Sequence, residues 1–329
     1  MKILYTVQAT GNGHISRAHQ LLPYLQELGD VDIFLSGSNA SLLPDMPVKF
    51  RSKGLSLFYT ECGTLDYWKT ITSVQYFRIL KEARDLPVEK YDLILNDFEH
   101  ITSLACRIKK VPSVQFGHQA SFMSKNTPRP ASKDWLGEFL LKNYAPATRY
   151  AGLHFEAYDS FIFPPVIKQF FIEARPADHG HLTVYLPAYD HECIERILLD
   201  LSPMHVHWFI TGIQQPYQKG NITFFPVNQA YFNDSLLHCN ALVTGGGFET
   251  PAEALFLQKK LLVIPIRGQY EQQCNAAALS KAGILQLPVL NYKTKPRFLQ
   301  WLRENKADFQ IEANDIRKTL RFALDSVNG

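Results

Sequence analysis

No apolar run in this chain approaches the ~20 residues that span a bilayer, and the sequence opens directly on a strand pattern, KILYTV, with no apolar core of a secretion signal before it. The expectation is a cytoplasmic protein, at most peripheral to the inner face of a membrane. Neither sign of charge dominates: 34 Lys and Arg face 31 Asp and Glu, a net +3 with no block of like charge. That balance is too mild to indicate nucleic acid as a partner. Cysteine is sparse, and the five present (Cys62, Cys106, Cys193, Cys239, Cys274) are odd in number, scattered and without a CxxC pair. This excludes a disulfide framework and reads as free thiols in a reducing compartment. Metal patterns are missing too. His179, His181, His191, His205 and His207 crowd one region, but two alternate along a strand, two fall in a linker, and no HExxH spacing occurs. Asp30-Val31-Asp32 copies a DxD pattern, yet it sits in the turn entering a strand, opposite the crevice. No metal and no bound cofactor are expected. A Walker lysine motif and a GxGxxG are likewise absent.

What is present is an ordinary globular composition, 46% hydrophobic and 20% charged, over 329 residues. That length suits two domains of about 150 residues. Lys2 to Val7 reads as a strand, Gly11-Asn12-Gly13-His14 as a turn, and Ser16 to Leu28 as a helix with Leu21, Leu22, Leu25 and Leu28 on its apolar face. Val31 to Leu35 is the next strand, and the unit begins a doubly wound parallel sheet. Tyr91 to Leu95 and Val111 to Phe116 are further strands. Three strand ends therefore present His14, Asp97 and His118 at the edge where such sheets bind ligands. A lone histidine is usually structural; one set in a glycine turn at a strand end is a candidate base. Asp97 suits orienting an imidazole or gripping a hydroxyl, or alternatively capping the helix Ile101 to Ile108. Phe50 to Leu86 is irregular and aromatic (Phe58, Tyr59, Tyr67, Trp68, Tyr76, Phe77), with a helix at Tyr76 to Arg84. Phe122 to Tyr150 mixes Trp135 and prolines with Lys125, Arg129, Lys133 and Lys142, which reads either as a solvated loop and helix or as a hold for an anionic or lipid-linked acceptor.

The prolines around Phe163 to Val166 place a boundary, giving domains 1–165 and 166–329, with the last helix, Ala313 to Val327, free to pack back on the first. The second half repeats the alternation: strands Leu182 to Leu186, Val206 to Ile210 and Ile222 to Phe225, helices His191 to Asp200 and near Tyr231 to Leu237. It culminates in Asn240 to Gly283. There Ala241-Leu242-Val243 runs into Gly245-Gly246-Gly247, a helix opening on Glu249, Thr250, Pro251 and Glu253, the strand Leu261 to Ile266, and a further helix. A glycine turn before a helix start is either a tight connection or a site for a phosphate group, since backbone N–H groups and the helix dipole point the same way there.

GNGHISRA at the start and GGGFETPAEA near residue 250, in two Rossmann-like halves, resemble the GT-B glycosyltransferases, particularly the MurG-like enzymes of glycosyltransferase family 28 and the UDP-glycosyltransferases. The resemblance implies an α/β fold of two doubly wound domains facing a cleft, and an inverting, metal-independent transfer from a nucleotide-diphosphate sugar, UDP-linked, to an acceptor hydroxyl. It implies that Gly245, Gly246, Gly247 and Thr250 hold the diphosphate and Glu253 the ribose. Glu271 and Gln272 match the family's sugar-contacting pair. Thr211 and Gly212 match a second phosphate-side loop, and Val227, between Pro226 and Asn228, faces the base. His14, oriented by Asp97, matches the general base, with Gly11, Asn12, Gly13, Arg17 and His118 lining the acceptor side. Two departures stand out: Pro187-Ala188-Tyr189 replaces a Gly/Ser-rich loop, and Glu271 replaces an aspartate. GxGHxxR is also similar to UDP-sugar hydrolases, so a hydrolase, or a silent nucleotide-sugar binder, remains as an alternative.

Overall fold

The structure, a computed structural model, describes all residues except 10–11, 38–45, 55–75, 133, 190 and 329. Gly11, Cys62, Lys133 and the aromatics Phe58, Tyr59, Tyr67 and Trp68 lie outside the described residues, as does the side chain of Asn12.

In the first half, strands β1 (Lys2–Gln8), β2 (Asp30–Ser36), β3 (Val48–Ser52), β4 (Leu93–Asp97), β5 (Val114–Gly117), β6 (Arg149–Leu153) and β7 (Ile162–Phe163) are joined through helices α1 (Asn12–Leu28), α2 (Tyr76–Asp85), α3 (His100–Lys109) and α4 (Trp135–Asn143). Their order across the sheet is β3-β2-β1-β4-β5-β6-β7, every described pair parallel. A strand covered by helices on both faces must be apolar nearly throughout, and β1 is buried from Ile3 to Gln8. Each buried Leu, Ile or Val here contributes about 1.5–3 kcal/mol.

After a short helix α5 (Gln169–Glu173), the second half supplies β8 (Leu182–Tyr185), α6 (His191–Leu199), β9 (Val206–Ile210), β10 (Tyr217–Lys219), β11 (Ile222–Pro226), α7 (Gln229–His238), β12 (Ala241–Thr244), α8 (Glu249–Phe256), β13 (Lys260–Val263), α9 (Tyr270–Lys281), β14 (Leu285–Gln286) and α10 (Lys295–Arg303). The sheet order is β10-β11-β9-β8-β12-β13-β14, parallel except where β10 folds back on β11. Trp208 on β9 is fully buried at its centre. Both sheets thus carry the doubly wound order, and in each the strand order reverses beside the first strand. Crevices for ligands open at that reversal: between β1 and β4 in one sheet, between β8 and β12 in the other.

The final helix, α11 (Ile316–Asn328), lies against the first sheet rather than the second. Its Phe322 ring meets Phe163 of β7 at 5.1 Å, and Arg149 of β6 donates to the Ser326 carbonyl. Among the described residues no helix is long and apolar enough to cross a membrane. Two of the crowded histidines stack on each other. His181 lies 3.9 Å over His207, whose Nδ1 meets the Ser235 hydroxyl, and burial pushes His207 down to about 4. Asp32 of the DxD pattern bonds Lys49 and Tyr91.

Candidate active site

The β1–β4 crevice holds His14 and Asp97. Helix α1 starts at Asn12, so His14 stands in its first turn instead of ahead of it. Asp97 ends β4, and the turn after it is tied by its own side chains: Asn96 exchanges hydrogen bonds with the Glu99 backbone, and Phe98 takes the left-handed conformation with φ 56°. Non-glycine residues enter that region only under constraint. Glu99 caps α3 by accepting from the N–H groups of Ile101 and Thr102, so Asp97 is left free of that duty. The alternative reading of Asp97 as the helix cap is thereby corrected.

Asp97 Oδ1 lies 2.8 Å from His14 Nδ1. A carboxylate can only accept, so Asp97 pairs with His14 when Nδ1 carries the proton and Nε2 keeps its lone pair; Arg17 Nη2, which can only donate, lies 2.9 Å from the same Nδ1 and pairs with it in the other tautomer. Arg17, one helical turn beyond His14 and 3% exposed, grips the same carboxylate with Nε at 3.1 Å and Nη2 at 2.7 Å. Tyr5 reaches it from β1 at 3.4 Å. Burial alone would raise the Asp97 carboxyl, but Arg17 and His14 outweigh it and bring it down to about 2. For His14, burial opposes protonation, yet the facing Asp97 carboxylate prevails and holds the imidazole above its ordinary value. With a side-chain exposure of 15%, His14 is the member of the group open to a ligand.

The second sheet delivers its glycine turn to the same place. Glu249, in the first turn of α8, forms an ion pair with Arg17 Nη1. Gly13 makes room for it: a Cβ there would lie 2.6 Å from Glu249 Oε2. Phe248 stacks on His118 with centroids 3.9 Å apart. Gln119, just past β5, donates to Glu271 at 3.0 Å. Glu249, Phe248 and Gln119 were not singled out by the sequence reading, because each acts across the cleft on a residue far away in the chain.

Other expected residues stand differently from their sequence reading. His118 is 1% exposed: Nδ1 meets the Leu153 carbonyl, Nε2 meets Asn275 Oδ1, and Phe248 covers the ring, so it is part of the contact between the halves and does not line an open crevice. Gly246 does not offer its N–H outward; it donates to Gln272 Oε1, which also accepts from Ile266. The expectation that the glycine turn points its N–H groups outward is corrected at Gly246. Gln272 is correspondingly a brace of the turn. Glu253 is 3% exposed and paired with Lys168 at 3.0 Å, and burial raises its pKa against the pull of that ammonium. Thr250 is half-buried beside it. Thr211, Gly212 and Val227 lie exposed past the ends of β9 and β11. The Pro187-Ala188-Tyr189 loop is pinned by the Tyr189 hydroxyl, which donates to the Ile264 carbonyl at 2.6 Å.

Two Rossmann-like sheets whose switch points meet over one cleft define the GT-B architecture. Residues 1–300 match the family described as Glycosyl transferase family 1, and the chain belongs to that family. It is a glycosyltransferase. No curated protein matches the sequence. Among solved structures, LpCGTa in complex with UDP aligns with a TM-score of 0.65 at 14% identity, over 100% of this chain and 99% of that one. Arabidopsis thaliana UGT89C1 complexed with UDP aligns at 0.58 and 12% identity, over 99% and 94% of the chains. The glycosyltransferase VinC in complex with dTDP aligns at 0.53 and 16%, over 99% and 94%. At such identities the likeness is one of fold. The narrower resemblance to family 28 rests on the sequence motifs alone.

Proposed function

We propose that this glycosyltransferase takes its sugar from a UDP-linked donor, passes it to an acceptor hydroxyl with inversion, and needs no metal. His14 Nε2 accepts the hydroxyl proton, and the oxygen attacks the anomeric carbon from the side opposite the nucleotide. The bond from that carbon to the diphosphate oxygen breaks in the same displacement. The N–H groups of Gly245 and Gly247, with Thr250 and the positive end of α8, receive the charge that develops on the leaving diphosphate. Glu253 accepts the ribose hydroxyls, exchanging part of its pairing with Lys168. Glu271 faces the sugar, Gln272 holds the glycine turn that the diphosphate meets, Val227 faces the base, and Thr211 and Gly212 the phosphate side. Gly11, Asn12, Gly13, Arg17 and His118 belong to the acceptor half.

The observation that carries this reading is the 2.8 Å contact of His14 Nδ1 with Asp97, which supports Nε2 as the basic atom. The exposed Trp135 (81%) and Phe139 (59%) on α4, with Lys125 exposed ten residues earlier in the chain, support an acceptor with an apolar, anionic part, such as a lipid-linked one met at a membrane surface. The test is a thermal-shift panel of UDP-, GDP- and TDP-sugars, followed by product analysis on the best binder; a hundredfold excess over Kd stabilises by about 2.7 kcal/mol. Stabilisation by UDP-sugars and an acceptor-dependent product of inverted configuration are expected. Free sugar released without acceptor would instead mean hydrolysis.

A further inference from the structure

We propose that Glu249 is a positioning residue for His14, supplying from the second half the negative charge that lets the His14–Asp97 pair take up a proton. This inference rests on the reading of His14 as the base.

The argument begins with Gly13. It lies in the first turn of α1, and its φ is not in the left-handed region, so backbone conformation does not call for glycine there. What does call for it is space. A Cβ would meet Glu249 Oε2 at 2.6 Å and Cδ at 2.8 Å. The glycine therefore admits a carboxylate from the other half of the molecule to the start of the helix that carries His14.

That carboxylate is engaged by a buried arginine. Arg17 spends Nε and Nη2 on Asp97 and Nη1 on Glu249, so one guanidinium links the two halves through the dyad's own carboxylate. The charged groups acting on His14 are Arg17 from α1, Asp97 from β4 and Glu249 from α8, and Tyr5 from β1 bonds the same Asp97 carboxylate. With Tyr5 neutral, the charges decide the outcome. Arg17 and Asp97 alone cancel, so a proton arriving on His14 would leave a buried net positive charge. With Glu249 added, the set starts at one net negative charge and ends neutral. Transferring a proton into a poorly solvated site is favoured when it neutralises the site and disfavoured when it charges it. Glu249 stands on α8, directly after the glycine turn, so this charge is present only while the donor half is seated against the acceptor half. Proton acceptance is thereby coupled to that contact.

The experiment is an NMR titration of the His14 ring in the ligand-free full chain, for wild type, Glu249→Gln and Gly13→Ala. Gln keeps the shape and removes the charge; the Ala methyl displaces an intact Glu249. Both should move the His14 midpoint to lower pH, and the acid limb of kcat/KM should move with it while kcat falls. A midpoint unmoved in both variants overturns the role of Glu249. Because the ring is observed without substrate, that result is separate from the base assignment: a shifted midpoint with turnover indifferent to His14→Ala would sink the base and leave the coupling standing.

Discussion

Lys168, in the segment between the two sheets, places its ammonium 3.0 Å from the Glu253 carboxylate inside α8, and 3.3 Å from Asn233. Both charged side chains are largely enclosed, at 13% and 4% exposure. Removing one member of such a pair strands the other charge at a cost of about 3–5 kcal/mol. Lys168→Met should therefore lower stability by about that much in denaturant titration, and Lys168→Met combined with Glu253→Gln should recover much of it. In calorimetry, Glu253→Ala should weaken UDP binding; an unchanged affinity would remove the ribose assignment.

General-base assistance is worth about 10²–10⁴-fold. His14→Ala should lower kcat by that range and leave UDP affinity close to wild type, because the histidine lies on the acceptor half. Turnover preserved in this variant would mean another group takes the proton.

The pH dependence follows from the same cluster. His14 is held above the ordinary imidazole value and must be neutral to accept a proton, so kcat/KM should rise with pH through a midpoint above about 6.5. Asp97 behaves oppositely in stability. Its carboxyl is brought down to about 2, so the stabilisation it gives is complete above the ordinary value near 3.9 and is lost as pH falls toward about 2. The stability gap between wild type and Asp97→Asn should be wide at neutral pH and close over that acidic interval.

Gly246 offers a purely steric test. A Cβ there would lie 2.6 Å from the Gln272 backbone oxygen and 2.9 Å from its Cβ. Neither is the free end of a flexible side chain. Gly246→Ala should push the turn away from α9 and reduce the thermal shift produced by UDP, whereas full stabilisation by UDP would show that the turn does not hold the diphosphate.

The alternation of strands and helices, and the place of His14 and Asp97 at strand ends, could be read from the sequence because each depends on neighbours within a few residues. Long apolar strands such as β1 and β9 announce themselves. The short or edge strands β3, β7, β10 and β14 do not, since their formation depends on a partner already in place. The same limit applies in the site. Glu271 and Gln272 were visible as a motif, but the use of Gln272 to brace Gly246, and of Asn275 to hold His118, depends on the packing of two halves. Glu249 was visible as a first-turn acid. Its signal was the otherwise unneeded Gly13, more than two hundred residues away.

The polypeptide passes between the two sheets twice, once after β7 and again where α11 returns to pack on β6. Asn314, on the returning stretch, bonds the Pro164 carbonyl, so the two passages run side by side. Two passages tied side by side join the halves more firmly than a single linker would. The same two halves are tied a second time at the cleft by the Arg17–Glu249 ion pair, so the joint and the charge around His14 belong to one contact between them.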